Sequence, residues 1–219
     1  MLAMTQPERS YHRQDLEAEL LVRAGEIVAA GGVEALSLRE LGRSANVSRA
    51  APYHYFPTKT ALLHRLGELG FQRLYELIEA AMSGIGDPVE RGIAGFRGYL
   101  SFALAEPAIL RLMFANRLER RRGTRPEMDS EQEGFPFSSE AAERAFGTLV
   151  AGVAAIPALG GNGMETLLMR TNALWAYAHG VSVLAIGDNL KGPDAGALLE
   201  TGLRALIDGL GRRRAEDAE

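Results

Sequence analysis

Residues 37–56 of this chain read SLRELGRSANVSRAAPYHYF, and they contain the signals of two short helices joined by a tight turn. Ser37 and Glu40 form an S-x-x-E capping box, in which the hydroxyl accepts from the third helical N–H and the carboxylate reaches back to the cap N–H. Apolar residues then recur at three- and four-residue spacing. This pattern predicts a helix from Leu38 to about Ala45.

The turn and the second helix follow directly. Asn46 tolerates the left-handed backbone that ends a helix, and Val47 can fill the corner. Ser48 is a good cap for a helix from Arg49 to about Phe56. Two helices joined by about three residues have the geometry of a helix-turn-helix, whose second helix lies in the major groove of DNA. A short serine-capped hairpin that binds nothing would have the same spacing.

The second predicted helix combines small residues with hydrogen-bond donors. Ala50 and Ala51 allow close approach to base edges, while Arg49 and His54 are donors of the kind that read guanine or phosphate. Pro52 lacks the N–H that would close the first helical hydrogen bond. We therefore expect a kink or a shortened helix at this place.

Phosphate contacts are expected beside that helix. The hydroxyls of Tyr53 and Tyr55 can reach the DNA backbone. Pro57 ends the helix and Thr58 can cap the next one, which opens with Lys59. A cation at the positive end of a helix dipole is locally disfavoured, and a bound phosphate would resolve the conflict. The sequence therefore predicts an anion site at the start of the third helix.

The distribution of charge is compatible with DNA binding. The whole chain carries a formal net charge of −4, yet residues 37–65 contain five cations and one acid. That segment is therefore +4 and the remainder is −8. A local basic patch on an acidic body suits a specific, dissociable DNA-binding protein.

Several classes of protein are disfavoured by composition. The 219 residues include no cysteine, so disulfides and thiolate metal sites are excluded. The four histidines are scattered, so we predict neither a metal nor another cofactor. The start of the chain lacks the apolar core of a signal peptide, and the longest apolar run, residues 149–159, is too short to span a bilayer. We expect a cytoplasmic protein without a membrane partner, and without the nucleophile and base of an enzyme.

The remaining periodicity is helical, without a convincing alternating strand, so an all-α fold is predicted. We expect a DNA-binding domain at residues 1–58 and a larger helical domain at residues 59–219. A loop that changes from basic to acidic is expected at residues 117–137. The helices are predicted near residues 14–31, 38–45, 49–55, 59–83, 87–106, 108–116, 138–157, 164–187 and 194–212.

The segment SLRELGRSANVSRAAPYHYFPTKTALL, residues 37–63, resembles the DNA-binding segment of the tetracycline-repressor (TetR) family. That family has the pattern [ST]-x-R-x-[LI]-A-x-x-A-G-V-S-x-x-x-[LP]-Y-x-[HY]-F-x-[ST]-K-x-x-L, from which this chain departs at Gly42, where Ala is usual, and at Asn46, where Gly is usual. The resemblance extends upstream through residues 15–36, which contain a Gly-Gly stop. Downstream, WAYAHGVSVL resembles the Trp-x-x-x-His-Gly signature of one TetR subgroup.

This resemblance implies a transcriptional regulator that binds a palindromic operator in double-stranded DNA. We expect a repressor that a small apolar or aromatic effector releases from the operator. The open alternatives are a DNA-binding regulator controlled by a partner protein and, remotely, an all-α enzyme. The residues expected at the DNA are Ser37, Arg39, Ser48, Arg49, Ala50, Tyr53, His54, Tyr55, Thr58 and Lys59.

The predicted helix at 164–187 is apolar on two adjacent heptad rows and must be covered from two sides. One side would face its own domain and the other a second subunit, with the helix at 194–212 completing a four-helix interface of a homodimer. Burial inside one large core is the alternative. The residues expected at the interface are Leu167, Leu174, Ala178, Val181, Leu199, Leu203, Leu206 and Leu210.

The resemblance also implies a small-molecule cavity in the C-terminal domain. Aromatic and methionine side chains suit the walls, and Tyr99 or His179 would orient the ligand. The same residues could instead form an ordinary core. The residues expected at the effector are Phe96, Tyr99, Phe102, Leu110, Met113, Phe114, Phe146, Val150, Trp175 and His179.

Overall fold

The computed structural model describes residues 6–120, 139–161, 163–192 and 194–216, and every regular element in them is helical. The predicted all-α fold is therefore confirmed. Most of the predicted loop at 117–137 lies outside the described residues. In chain order the elements are α1 (Gln6–Ala35), α2 (Leu38–Ser44), a 3₁₀ helix (Ala51–His54), α3 (Lys59–Met82), α4 (Pro88–Ala105), α5 (Pro107–Arg120), α6 (Glu140–Ala154), α7 (Gly163–Ile186) and α8 (Ala195–Glu216).

Local signals explain where several helices begin and bend. Asp87 accepts a hydrogen bond from the Glu90 N–H at 2.8 Å, and Pro88 fills the first helical position of α4. Ser139 caps α6 in the same way through the Ala142 N–H, at 3.2 Å. The Gly-Gly stop predicted for the first helix is a break inside α1, since Gly32 has φ 73° and ψ 178° before the helix resumes. α1 also begins at residue 6, earlier than predicted.

Helix α3 is shared by the two ends of the molecule. Its first half contributes Leu62 and Leu66 to the buried cluster, beside buried residues of α1 and α2, and its second half packs on α4, α5 and α6. Because α3 serves both ends, the predicted domain boundary between residues 58 and 59 stays a prediction.

Glycines bring the body helices into close contact. A Cβ at Gly98 of α4 would lie only 2.7 Å from the Leu77 carbonyl oxygen of α3. A Cβ at Gly70 of α3 would lie 2.7 Å from Cγ2 of Ile109 in α5. The close crossings of α3 with α4 and α5 therefore depend on the absence of a side chain at these two glycines.

Helices α7 and α8 pack on each other and on α4. The Tyr177 hydroxyl donates to the Leu198 carbonyl at 2.7 Å, which ties α7 to the first turn of α8. Arg204 of α8 forms an ion pair with Glu90 of α4 at 2.8 Å. No helix in the described ranges is both long enough and apolar enough to cross a membrane.

Candidate DNA-binding surface and ligand cavity

The start of α2 is capped as predicted on one side only. The Ser37 hydroxyl accepts from the Glu40 N–H at 3.1 Å. The Glu40 carboxylate accepts a hydrogen bond from Arg43 Nε at 3.0 Å, one turn further along the helix. In a capping box it would instead accept from the backbone N–H of the cap residue. The hydrogen bond from Arg43 lowers the pKa of Glu40. The helix start is thus as predicted, with a different partner for the carboxylate.

The turn after α2 involves the two residues at which the chain departs from the family pattern, Gly42 and Asn46. Asn46 has φ 53°, the left-handed conformation predicted for it. The Val47 N–H donates to the Gly42 carbonyl at 3.0 Å. A Cβ at Gly42 would lie 3.2 Å from the Ser48 carbonyl oxygen and 3.4 Å from Cγ of Pro52. Glycine at position 42 therefore lets the turn and the next element pack closely on α2.

The second element of the unit is shorter than predicted. It is a 3₁₀ helix at Ala51–His54, with the Tyr53 N–H donating to the Ala50 carbonyl at 3.1 Å. The shortening at Pro52 is confirmed, but the predicted α-helix from Arg49 is wrong. Ser48 was predicted to cap with its side chain, whereas its carbonyl accepts the Ala51 N–H at 3.0 Å and its hydroxyl does not cap the helix.

The predicted DNA residues lie on an accessible surface. Arg49, Ala50 and His54 are exposed, and Tyr53 is 53% exposed although it is aromatic. Tyr55 is half-buried and packs on the core. The exposed set also includes Ser37, Arg39, Ser48 and Thr58. Contact of these residues with DNA stays a prediction.

The start of α3 has the features of an anion site. The Thr58 hydroxyl accepts from the Ala61 N–H at 3.0 Å, as predicted for a cap. Lys59 is the first residue of the helix, and no acidic residue lies in that first turn. The positive end of the helix dipole and the lysine charge therefore add together next to the 3₁₀ helix.

A hydrogen-bonded aromatic group lies at the other end of the molecule. The Tyr99 hydroxyl is 2.7 Å from His179 Nδ1, and Trp175 forms a side-chain hydrogen bond with Tyr99. Burial raises the pKa of Tyr99 and lowers the pKa of His179. Both side chains are therefore uncharged near neutral pH.

Tyr99 and Trp175 border a small cavity of about 20 Å³. Such a volume holds about one water molecule, so a larger ligand would require the cavity to expand. Helices α3, α4, α5, α6 and α7 all contribute to the wall. The residues that line it are Phe71, Leu74, Ile78, Tyr99, Phe114, Ala142, Ala145, Phe146, Leu149 and Trp175.

The cavity contains only part of the predicted effector set. Tyr99, Phe114, Phe146 and Trp175 line it, and the ring of His179 lies 5.0 Å from that of Phe114. The remaining predicted residues lie outside the lining, because the periodicity of a helix does not reveal which residues surround a common space. These are Phe96, Phe102, Leu110, Met113 and Val150.

Two groups of lining residues are absent from the predicted effector set. Phe71, Leu74 and Ile78 come from α3, and their three- and four-residue spacing is the signal that could have placed them on one face. The other group comes from α6, where small alanines leave space between rings.

The predicted dimer residues require a correction. Leu174, Ala178, Leu199 and Leu203 have no exposed surface within a single chain, and Val181 is also buried. They form the protomer's own core, because α7 and α8 pack on each other and on α4. Three further predicted residues are half-buried, namely Leu167, Leu206 and Leu210.

The exposed apolar residues of α7 form a row beside the buried residues of the same helix. This row includes large side chains as well as small residues that would let a second helix approach closely. On α8, exposed Ala197, Thr201 and Ala205 form a similar small-residue row. The exposed residues of the α7 row are Met169, Ala173, Ala176, Gly180, Val183 and Leu184.

A second, larger hollow on the surface differs from the aromatic cavity. An open groove of about 790 Å³ runs between α1, α3 and the α4–α5 corner. The arginines on its rim are paired, Arg73 with Glu106 at 2.5 Å and Arg65 with Glu17 at 3.7 Å. Among the described residues, no three histidine, aspartate or glutamate side chains form a group that could hold a metal ion.

Two family models match the chain. Residues 20–66 match the model of bacterial regulatory proteins of the tetR family, and residues 93–206 match the model of the tetracyclin repressor-like C-terminal domain. The second match alone covers more than half of the chain. A search of curated proteins finds no match to this chain.

Solved structures are similar over nearly the whole length. A protein of unknown function from Rhodococcus sp. RHA1 is 32% identical, over 94% of this chain and 100% of its own, with a TM-score of 0.74. The TetR family transcriptional regulator PfmR from Thermus thermophilus is 17% identical, over 86% of this chain and 97% of its own, with a TM-score of 0.56. RolR, solved in complex with resorcinol, is 19% identical, over 91% of this chain and 89% of its own, with a TM-score of 0.56. At these last two identities the likeness concerns the fold alone.

Proposed function

The chain belongs to the TetR family of bacterial regulatory proteins, and from this premise we propose that it is a repressor that a small effector releases from a near-palindromic operator. That it is a DNA-binding transcriptional regulator follows from the family. The observation that carries the proposal is the exposed 3₁₀ helix beside the lysine-bearing start of α3, in the basic segment of an acidic protein. The Trp-x-x-x-His-Gly subgroup stays a prediction.

The surface divides into two kinds of contact. Arg49 and His54 are exposed next to small residues, and we assign them to base edges. Thr58 and Lys59 stand at the positive end of α3, and we assign them, with the exposed Tyr53 and the neighbouring Tyr55, to phosphates. Base contacts would set the preferred sequence and phosphate contacts the overall affinity.

Binding of the purified protein to DNA from its own upstream region tests this division. Lys59→Ala should weaken binding to every sequence and flatten the dependence of log affinity on log salt by about one charge. Arg49→Ala should relax the preference at one operator position, at a cost of about 1–3 kcal/mol. The matched control is Lys191→Ala, because Lys191 is exposed in the loop between α7 and α8. Equal losses on specific and random DNA for both variants would contradict these roles.

We assign the dimer contact to the exposed apolar row of α7 together with the small-residue row of α8. A twofold axis would bring two copies of each helix together. Met169, Val183 and Leu184 are large and exposed in the single chain, so covering them removes apolar surface from water. Gly180 lies between them and allows a close crossing.

Two arginine substitutions separate this interface from the core. A Cβ at Gly180 meets no atom within 4 Å, so Gly180→Arg should fold as a monomer and lose operator affinity. Leu203 has no exposed surface, so Leu203→Arg buries an unpaired charge and should unfold the protein. Sedimentation and circular dichroism distinguish the outcomes. A Gly180→Arg variant that remains a stable dimer would place the interface elsewhere.

The effector proposal rests on the cavity and its connection to α3. Phe71, Leu74 and Ile78 of α3 line the cavity, while the first turn of the same helix carries Lys59. A ligand that enlarges the cavity would displace α3 and shift the two DNA-binding units relative to successive major grooves. The complex of RolR with resorcinol supports a small aromatic ligand in a protein of this fold.

Thermodynamic linkage tests the coupling. If effector binding weakens operator binding, the operator must weaken effector binding by the same factor, about 5- to 150-fold for a coupling of about 1–3 kcal/mol. Effector affinity is therefore measured with and without operator. Equal affinities would remove that ligand from the role of inducer.

One alternative is favoured by the small volume of the cavity. A DNA-binding regulator controlled by a partner protein would need no space for an effector. Thermal unfolding separates the two, because a ligand that binds only the folded state raises the melting temperature by an amount that keeps growing with the logarithm of its concentration above the dissociation constant.

A further inference from the structure

The wall of the cavity at Phe71, Tyr99, Phe114, Phe146 and Trp175 is uncharged throughout. Its described lining consists of aromatic rings, aliphatic side chains and alanines, with a phenol hydroxyl and an indole N–H as the polar side-chain groups. A charged ligand would lose its hydration there and find no ion of opposite sign. The composition of the wall therefore favours an uncharged ligand.

The hydrogen-bond network has a defined direction. The indole N–H of Trp175 can only donate, so the Tyr99 oxygen accepts from it. The Tyr99 hydrogen then points to His179 Nδ1, 2.7 Å away, and that nitrogen is the acceptor. The opposite arrangement, with Nδ1 donating, would leave the hydrogen of a fully buried hydroxyl without a partner.

This arrangement of donors and acceptors leaves the Tyr99 oxygen with one unused lone pair. The Tyr99 oxygen has two lone pairs and uses one for Trp175, so it can accept one more hydrogen bond. Since burial lowers the pKa of His179, that ring supplies no positive charge to an anion near neutral pH. The polar group that this wall can satisfy is a donor on an uncharged ligand.

The shape of the wall favours a flat ring. The ring of Phe114 lies 6.0 Å from that of Phe71 and 5.9 Å from that of Trp175, in edge and tilted geometries. Phe146 meets Trp175 edge to face at 6.3 Å. Phe114, Phe146 and Trp175 are only half-buried, so they can rotate outward to enlarge the cavity while Tyr99 stays in place.

We infer that this cavity takes small uncharged aromatic molecules that carry a hydrogen-bond donor, read by the Tyr99 oxygen, and that it rejects aromatic carboxylates. This inference rests on the proposed effector site and names its ligand class. Trp175 is the single tryptophan of the chain, so its fluorescence reports occupancy of the cavity directly.

The experiment compares benzyl alcohol, anisole and benzoate in the full-length protein. Benzyl alcohol, uncharged with a donor, should change Trp175 emission saturably. Anisole, which lacks the donor, should bind about tenfold more weakly. Benzoate should bind about a hundredfold more weakly, because its charge must be desolvated. Benzoate or anisole binding as tightly as benzyl alcohol overturns the inference, as does the absence of a saturable change with all three.

Substitution of the reading residue completes the test. Tyr99→Phe should bind anisole and benzyl alcohol equally, while Tyr75→Phe, on α3 outside the cavity lining, should keep the wild-type preference. If Tyr99→Phe fails to fold, as judged by circular dichroism, the three probes with the wild-type protein still decide. Release of a labelled operator is measured separately. Selective binding without release leaves the ligand class standing and removes only the inducer role.

Discussion

The proposed DNA surface and the aromatic cavity differ in how far apart their residues lie in the sequence. The DNA surface is drawn from residues 37–59, a single continuous segment. The cavity is drawn from five helices between Phe71 and Trp175. The first site is organised by helix caps and a turn that each involve about four residues, whereas the second exists only when the helices cross correctly. We therefore expect changes in packing to affect the cavity first.

The two sites also differ in their electrostatics, although they share one helix. The DNA surface is exposed and basic, whereas the cavity lies between helices and has an uncharged lining. Helix α3 carries Lys59 at its first residue and Ile78 on the cavity wall. Helix α3 therefore provides a direct physical connection between the DNA surface and the cavity. Substitutions at its first turn and at its cavity end can test the two sites separately.

Among substitutions that leave the protein folded, the largest loss of stability is expected where helices of the body cross. Gly98→Ala places a methyl group 2.7 Å from the Leu77 carbonyl oxygen, so the backbone must shift. We expect a loss of about 1–3 kcal/mol in the free energy of unfolding by urea. Gly147→Ala is the matched control, since a Cβ there meets no atom within 4 Å, and it should stabilise α6 by about 0.5–1 kcal/mol. Equal stability of the two variants would show that the crossing is looser than described.

A smaller effect is expected at the caps. Ser37→Ala removes the cap of α2 and Ser139→Ala removes the equivalent cap of α6, each at a cost of about 1 kcal/mol of stability. Only Ser37→Ala should also weaken operator binding beyond the loss of folded protein. The two serine variants can be compared directly, because the same hydroxyl is removed from a helix cap in the DNA-binding unit and in the C-terminal body. If both variants bound operator equally, the cap of α2 would have no part in positioning the DNA surface.

The smallest effect concerns pH. Burial lowers the pKa of His179 below its ordinary value of 6.5, so at mildly acidic pH the unfolded chain binds a proton that the folded chain does not. Stability should therefore rise with pH through the window that ends near 6.5. His179→Gln, whose amide oxygen can still accept from Tyr99, should remove that part of the slope. An unchanged slope in urea unfolding at several pH values would show that another group titrates there.

Short-range signals in the sequence were sufficient for the DNA unit. Ser37, Asn46 and Thr58 have the roles that their residue types predicted, because a cap or a left-handed turn is decided within a few residues. The exceptions are Glu40, whose carboxylate accepts from Arg43 and not from the cap N–H, and Ser48. Pro52 and Gly42 tightened the following element into a 3₁₀ helix, and the serine hydroxyl was left without a helix N-terminus to cap.

The amino-acid sequence alone is sufficient to predict that the chain is helical, where most helices begin and end, and that α7 is apolar over most of its circumference. Which side of each helix is covered depends on the packing of the folded chain. Leu174 and Leu203 are in the protomer's core while Val183 is exposed, although all three are apolar. Phe102 and Phe114 are both aromatic, yet only Phe114 lines the cavity. Hydrophobic periodicity indicates that a face is buried, but the partner of that face depends on how helices distant in sequence cross.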